Sequence, residues 1–338
     1  MTELFNTTAK QTIRRDWVKP FLKYLHDTIN QKLVYLGLPD TEAHDIKEWL
    51  EFLDKIYAFQ CREYPKSSYP EQSREKVLAL ENVLRSFERK KSIDTYDVYD
   101  GYIEEVVLRG YDNSPDRKDF FLKDVVTIYN LDFCGQVTSP IEYVDTQGNK
   151  KQAYKFDAVK KLLNTQASLP LLSKKFVLLL TVHCSYDGKE LKEFQNNPPN
   201  QDIKDYISTT TNKRLSKGEK APYWVKAFVY HNLTQFFTTN NFIPEFLPVI
   251  YYKGDNNHPL LFFTVIGTEV EGKSGAPNPP QKIVNFLYGK FLSINPETNE
   301  FENNEDLTVH EEKCKGWSNL NILHLFKQTK IFKSYWKS

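Results

Sequence analysis

Apolar residues along the chain follow two spacings, a helical one and short continuous runs. Between residues 10 and 32 they fall at Ile13, Trp17, Phe21, Leu22, Leu25 and Ile29, a helical period that leads into the β-like run Lys32–Gly37. Leu38-Pro39-Asp40-Thr41 reads as a turn and helix start, Ala43–Leu53 as a helix, and Lys55–Gln60 as a second buried strand. Residues 71–90 are charged and helical in composition. A β-like stretch through Ile93, Tyr96, Val98 and Tyr99, a helix over Tyr102–Arg109 and a polar loop over 110–120 with Pro115 follow.

The second half opens with the strand Val125–Asp132, then Phe133-Cys134-Gly135, and a helix over Phe156–Leu163. Phe176–Val182 is apolar at every position but one, which suits the centre of a parallel sheet covered on both faces. Residues 187–222 are polar, contain Pro198-Pro199, and read as a surface excursion. A helix over Tyr223–Thr238 precedes two strands, Phe246–Tyr252 and Leu260–Ile266, joined by a short loop with Gly254, Asp255 and Asn256 that marks a hairpin. Residues 271–281, rich in Gly and Pro, read as a linker to a mixed tail.

Strands that alternate with helices predict an α/β fold, a doubly wound and mainly parallel sheet, here with a closing antiparallel strand. The 338 residues allow one large domain with appendages or two smaller ones. The pattern divides them into a helical segment over 1–30, a Rossmann-like domain over 31–270 with its excursion at 187–222, and an extension over 271–338. No repeat is visible.

In such a sheet the strand ends at the carboxyl edge open onto the ligand crevice, so chemistry is sought there. The candidates are Gly37 with Asp40 and Glu42 after the first strand, Gln60 after the second, Asp97 and Asp100 at the third, and Asn130, Asp132 and Phe133 at the fourth. A structural reading stands beside each. Asp132 can cap the turn after its strand while Gly135 permits the bend, and Asp40-Thr41 is a helix N-cap signal.

Asn130-Leu-Asp-Phe-Cys-Gly135, with Ser139-Pro140 beyond, resembles the Asp-Leu-Asp-Pro-Phe/Tyr-Gly run of tRNA guanosine dimethyltransferases, departing from it at Asn130 and Phe133. The strand order with its closing hairpin is similar to that of class I S-adenosylmethionine (SAM) methyltransferases. The resemblance implies SAM as cofactor and a nucleic-acid base or nucleotide as acceptor. Asp132 would then accept a hydrogen bond from an exocyclic amine and Phe133 would stack on the base. Gly37 would allow close approach of the cofactor, Asp40 or Glu42 would meet its ammonium group, Gln60 its ribose, and Asp97 or Asp100 its adenine. The first-strand turn holds one Gly and a Pro where the family has a Gly-rich loop, and Gln60 stands where a carboxylate is usual. These departures leave open a catalytically inactive scaffold or sensor subunit of a larger bacterial complex, such as an antiviral one. They also leave open a protein that uses the crevice for another adenosine compound.

The net charge of +1 gives the whole protein no electrostatic footprint for nucleic acid, so any basic surface must be local. The segment 327–338 carries four lysines, no acid and three aromatics, so Lys330, Lys333 and Trp336 are candidate nucleic-acid contacts, or else a solvated helix end. Cys61, Cys134, Cys184 and Cys314 form no C-x-x-C pair, and with no metal-ligand spacing elsewhere no metal is expected. Hydrolase, metalloprotease and Walker-type motifs are absent. His183-Cys184 could suggest a nucleophile pair, but strand neighbours point to opposite faces. The opening Met-Thr-Glu-Leu-Phe-Asn lacks a signal-peptide pattern and no apolar run is long enough to span a bilayer, so a cytoplasmic protein with no membrane partner is expected.

Overall fold

A computed structural model describes residues 6–60, 74–145, 147–169, 175–184, 188–211, 216–254, 258–270, 287, 291–294, 298 and 301–303. The 271–281 linker and the 327–338 segment with Lys330, Lys333 and Trp336 lie outside them. The chain enters through α1 (Thr8–Thr12), a π-helical segment (Ile13–Val18) and α2 (Lys19–Ile29). Then come β1 (Leu33–Gly37), α3 (His44–Trp49), β2 (Leu53–Gln60), α4 (Glu75–Arg89), β3 (Thr95–Asp100), α5 (Ile103–Arg109) and β4 (Ile128–Gln136). A small hairpin, β5 (Ile141–Val144) and β6 (Lys150–Ala153), precedes α6 (Lys155–Ser168) and β7 (Lys175–His183). After α7 (Lys189–Asn196), α8 (Gln201–Thr211) and α9 (Lys217–Thr239) come β8 (Phe242–Phe246), β9 (Ile250–Lys253), β10 (Pro259–Glu269), β11 (Leu292–Ile294) and β12 (Phe301–Asn303).

β3, β2, β1, β4 and β7 lie side by side in that order, all parallel. β10 runs antiparallel to β7, and its other edge carries β8 and β9, then β11 and β12. The sheet is doubly wound. The chain steps outward from β1 to β3 and returns through α5 to the other side of β1, so the topological switch point lies between β1 and β4. This is a mainly parallel, doubly wound α/β sheet with a closing antiparallel strand.

Strand residues alternate between two cores. Leu36, Tyr129, Leu131, Leu178 and Leu180 face α5, α6 and α9, whereas Tyr35, Ile56, Ile128, Val177 and Leu179 face the N-terminal helices, α3 and α4. β7 supplies both layers, which is why its run is apolar at every position from Phe176 to Val182 except Thr181. The π segment and α2 bury Ile13, Trp17, Val18, Phe21, Leu22 and Leu25 on the second face. There Trp17 Nε1 donates to Thr264 Oγ1 at 2.9 Å and Trp49 Nε1 to the Arg14 carbonyl at 3.2 Å.

Three expectations need correction. The polar stretch 187–222 is not a loose excursion, because α7 and α8 turn Leu191, Phe194, Ile203, Tyr206 and Ile207 into the α9 core. The Phe246–Tyr252 run is split into β8 and β9, with Pro248, which has no N–H for the ladder, in the gap. The β5–β6 hairpin is an element that the apolar pattern does not predict. Its turn is organised by Asp145, whose Oδ1 accepts from the backbone N–H of Gln147 and Asn149, both at 2.9 Å. Among the described residues no helix is long and apolar enough to cross a membrane, and no group of three His, Cys, Asp or Glu is placed to hold a metal.

Candidate functional site

The parallel register brings the expected positions to one edge. Gly37 pairs with Ala58 of β2 and Asn130 of β4, and Gln60 pairs with Asp100 of β3. A Cβ on Gly37 would lie 2.4 Å from the Asn130 carbonyl oxygen and 2.7 Å from Tyr35 Oη. The glycine is therefore required by the close packing of β1, β4 and Tyr35. The same Asn130 carbonyl accepts from Leu38 N at 3.0 Å, which fixes the exit of β1.

The turn that follows is tied internally. Asp40 Oδ1 accepts from Glu42 N at 2.9 Å, and His44 Nδ1 lies 2.9 Å from Asp40 Oδ2, so Asp40 organises the entry to α3. Glu42 faces solvent, 3.6 Å from Lys47. Gln60 Nε2 donates to the Pro39 carbonyl at 3.2 Å and straps the end of β2 to this turn. Asp97 sits in mid-strand opposite Tyr57, not at the carboxyl end, and pairs with Lys118 at 2.6 Å. Asp100 does end β3 and is 1% exposed. Its backbone N–H donates to Asp112 Oδ2 at 3.1 Å, and Asp112 Oδ1 also accepts from Ser114 N and Lys118 N, which sets the loop beyond Asp100.

Asn130 and Asp132, two residues apart on β4, share the face that meets the N-terminal helices. Asn130 Nδ2 donates to Asp45 Oδ2 at 2.7 Å and to Tyr35 Oη at 3.2 Å, and Asp45 is ion-paired with Arg14. Asp132 is ion-paired with Lys10 of α1, with the two side chains 29% and 16% exposed, and takes a further hydrogen bond from Thr181. The four charges form a neutral, partly buried cluster. It lines a small, half-open pocket of about 30 Å³, with room for one or two waters, whose remaining walls are Ile13, Val18, Trp49, Tyr252 and Phe262.

The pairings set the protonation. Burial raises the Asp132 carboxyl, but the Lys10 ammonium and the Thr181 hydroxyl outweigh it and hold the group below the usual carboxylate range. Burial pulls Lys10 down, and Asp132 more than offsets that, so the ammonium is held well above its ordinary value. Asp45 is pushed up by burial against the opposing pull of Arg14.

Phe133 points to the opposite face. It is 3% exposed within the α5–α6–α9 core, with Lys155 Nζ 5.9 Å from its ring centre, so it is not presented beside Asp132 for stacking. His183 stacks on His258 at 5.8 Å, while Cys184 is buried and its thiol is pushed up, which leaves it unreactive. Lys10, Arg14, Asp45, Thr181 and Tyr252 are members of the site that the strand-end argument does not reach. Lys10, Arg14, Trp17 and Phe21 fall on one helical stripe, and two cations on an otherwise apolar stripe are the signal that was available.

No protein-family model matches the chain, and no curated protein matches its sequence. Among solved structures the chain is similar to EvdMO1, with 10% identity over 74% of this chain and 40% of that one, at a TM-score of 0.33. It is similar to the pyocyanin biosynthetic protein PhzM, with 8% identity over 75% and 55% of the two chains, at 0.31. It is also similar to a mutant form of the 16S rRNA (adenine(1408)-N(1))-methyltransferase from Catenulisporales acidiphilia, with 10% identity over 75% and 93%, at 0.30.

Proposed function

We propose that the protein is a SAM-dependent methyltransferase whose acceptor is an amine on a nucleic-acid base or nucleotide. The observation that carries this reading is the convergence of Gly37, Gln60, Asp100, Asn130 and Asp132 on one carboxyl edge, at the switch point of a methyltransferase-like sheet. The residues fit an adenosyl group in part. Asp100 lies buried beside Arg74 at 3.9 Å and Gln60 is bonded to the Pro39 carbonyl, so adenosine would take these polar groups in exchange for their present contacts, and Gly37 and Asp40 are likewise committed internally. Bound SAM supplies an electrophilic methyl group. Asn130 and Asp132 are the chain's own contribution: Asp132 accepts a hydrogen bond from the acceptor amine and aligns its lone pair, and the Asp45–Asn130–Tyr35 bonds hold the neighbouring amide in a single orientation. With a net charge of +1, phosphate affinity falls to local groups, and Lys330, Lys333 and Trp336 are proposed for it. The reaction belongs in the cytoplasm.

The test is transfer of tritiated methyl groups from SAM to bulk tRNA and to DNA. Wild-type protein is expected to label one of them and Asp132→Asn to lose the activity while still folding. Equal labelling by both proteins would remove Asp132 from the reaction.

A second reading is favoured by one observation, the Lys10–Asp132 ion pair, which occupies the carboxylate that the reaction needs. In it the protein is a non-catalytic scaffold or sensor subunit of a bacterial assembly, in the manner of an antiviral complex. Purification from its native host with a stoichiometric protein partner, and no methyl transfer by the resulting complex, is the outcome that separates the two.

A further inference from the structure

α1 is attached differently from the helix it leads into. Its five residues bury only Thr12, whereas the π segment and α2 supply the apolar anchor from Ile13 onward. Its first turn is closed by Thr7, whose Oγ1 accepts from Lys10 N at 3.3 Å, and Arg14 Nη1 donates to Asn6 Oδ1 at 2.5 Å. Lys10 ties α1 to the sheet through its ion pair with Asp132, across 122 residues of sequence. The six π-helical residues between α1 and α2 are an uncommon insertion, and wide turns of this kind gather where a helix changes direction or serves a site.

Resting on the methyl-transfer reading above, we infer that α1 is an autoinhibitory latch in which the Lys10 ammonium stands on Asp132 in the place of the acceptor amine. Lys10 donates to the carboxylate that the acceptor amine needs, so the two exclude each other. Opening swings α1 out about the π segment and breaks the Lys10–Asp132 pair, the Arg14–Asn6 bond and the packing of Ala9 and Thr12, while Trp17, Phe21 and Leu25 remain the anchor. The arrangement also specifies the acceptor chemistry: a nitrogen able to donate to a carboxylate, which replaces the N–H donor of Lys10 but not its charge, so the acceptor bears the cost of leaving Asp132 without its counter-ion.

The experiment compares hydrogen exchange of residues 8–12 and 19–29 in the full chain for wild type, Lys10→Met and the double variant Lys10→Met/Asp132→Asn. Methyl incorporation into bulk tRNA and DNA is measured alongside for wild type and Lys10→Met. Lys10→Met is expected to speed exchange in 8–12 by about tenfold or more with 19–29 unchanged, and to raise incorporation by a similar factor. The double variant leaves no unpaired charge, so it carries the exchange comparison if Lys10→Met fails to fold. Unchanged exchange in 8–12 would overturn the latch whatever the activity. Faster exchange with incorporation at the wild-type level would remove its inhibitory role and leave the proposed reaction standing. If neither protein takes up SAM or transfers a methyl group, the methyl-transfer reading falls, and the inhibitory role falls with it.

Discussion

The two faces of β4 are packed by opposite chemistries. On one, Tyr129, Leu131 and Phe133 enter an aromatic and aliphatic core with Phe156, Phe176 and Phe237. On the other, Asn130 and Asp132 enter a cluster of two cations and two carboxylates, a short step along the strand from the buried Ile128. Well-packed hydrophobic residues would stabilise that second face at least as well as paired charges, because desolvation offsets most of the Coulombic gain. A polar cluster placed at the switch point of a doubly wound sheet accords with the proposed site, while the opposite face is the part that holds the sheet together.

The comparison predicts graded effects. Phe176→Ala, on the apolar face, removes a ring packed edge-on against Tyr129 and Phe242, and it is expected to cost about 4 kcal/mol of stability in urea unfolding. A cost below about 1 kcal/mol would show that this face is not the main anchor. Asp45→Ala leaves Arg14 and the Asn130 amide without their partner in a site where the paired side chains are only 10% and 12% exposed. It is expected to cost about 3 kcal/mol, whereas Lys10→Met/Asp132→Asn, which removes both charges together, stays within about 1 kcal/mol of wild type. A double variant as damaged as Asp45→Ala would mean that the Lys10–Asp132 pair is structural.

The smallest effect concerns pH. Folding lowers the Asp132 carboxyl against the penalty of burial, through Lys10 and Thr181. Its contribution is therefore fully present above the ordinary carboxylate range and is lost as pH falls through that range, at about pH 4 and below. Asp45, raised by burial, works in the opposite sense. The gap in urea midpoint between wild type and the double variant should shift against wild type as the solution is acidified, and parallel curves would contradict the pairing.

Much of the sheet was legible because a strand buried on both faces needs a continuous apolar run, as Phe176–Val182 has. α7 and α8 were not legible in the same way, since each presents only a narrow apolar stripe, Leu191 with Phe194 and Ile203 with Tyr206 and Ile207, in a polar stretch. β5 (Ile-Glu-Tyr-Val) and β6 (Lys-Lys-Gln-Ala) have no continuous apolar run and pair only with each other, so nothing but their turn residues marked them. Gly37, Gln60 and Asp100 end their strands, as the parallel order implies, whereas β4 runs on to Gln136, so the strand end expected at Asp132 falls within it. Lys10 and Arg14 show only as two cations on an otherwise apolar stripe, because their carboxylate partners lie far off in sequence, 122 residues away for Lys10. The same holds for Gly37, whose neighbours across β4 decide that it packs against backbone and Tyr35.

The most direct test of the carboxyl-edge site is calorimetric titration of the full chain with SAM, for wild type and for Asp100→Ala. Saturable binding by wild type, weakened about tenfold or more by Asp100→Ala, is the predicted result. Absence of binding heat from wild type across pH, or an affinity that Asp100→Ala leaves unchanged, would contradict a cofactor site at the ends of β1, β2 and β3.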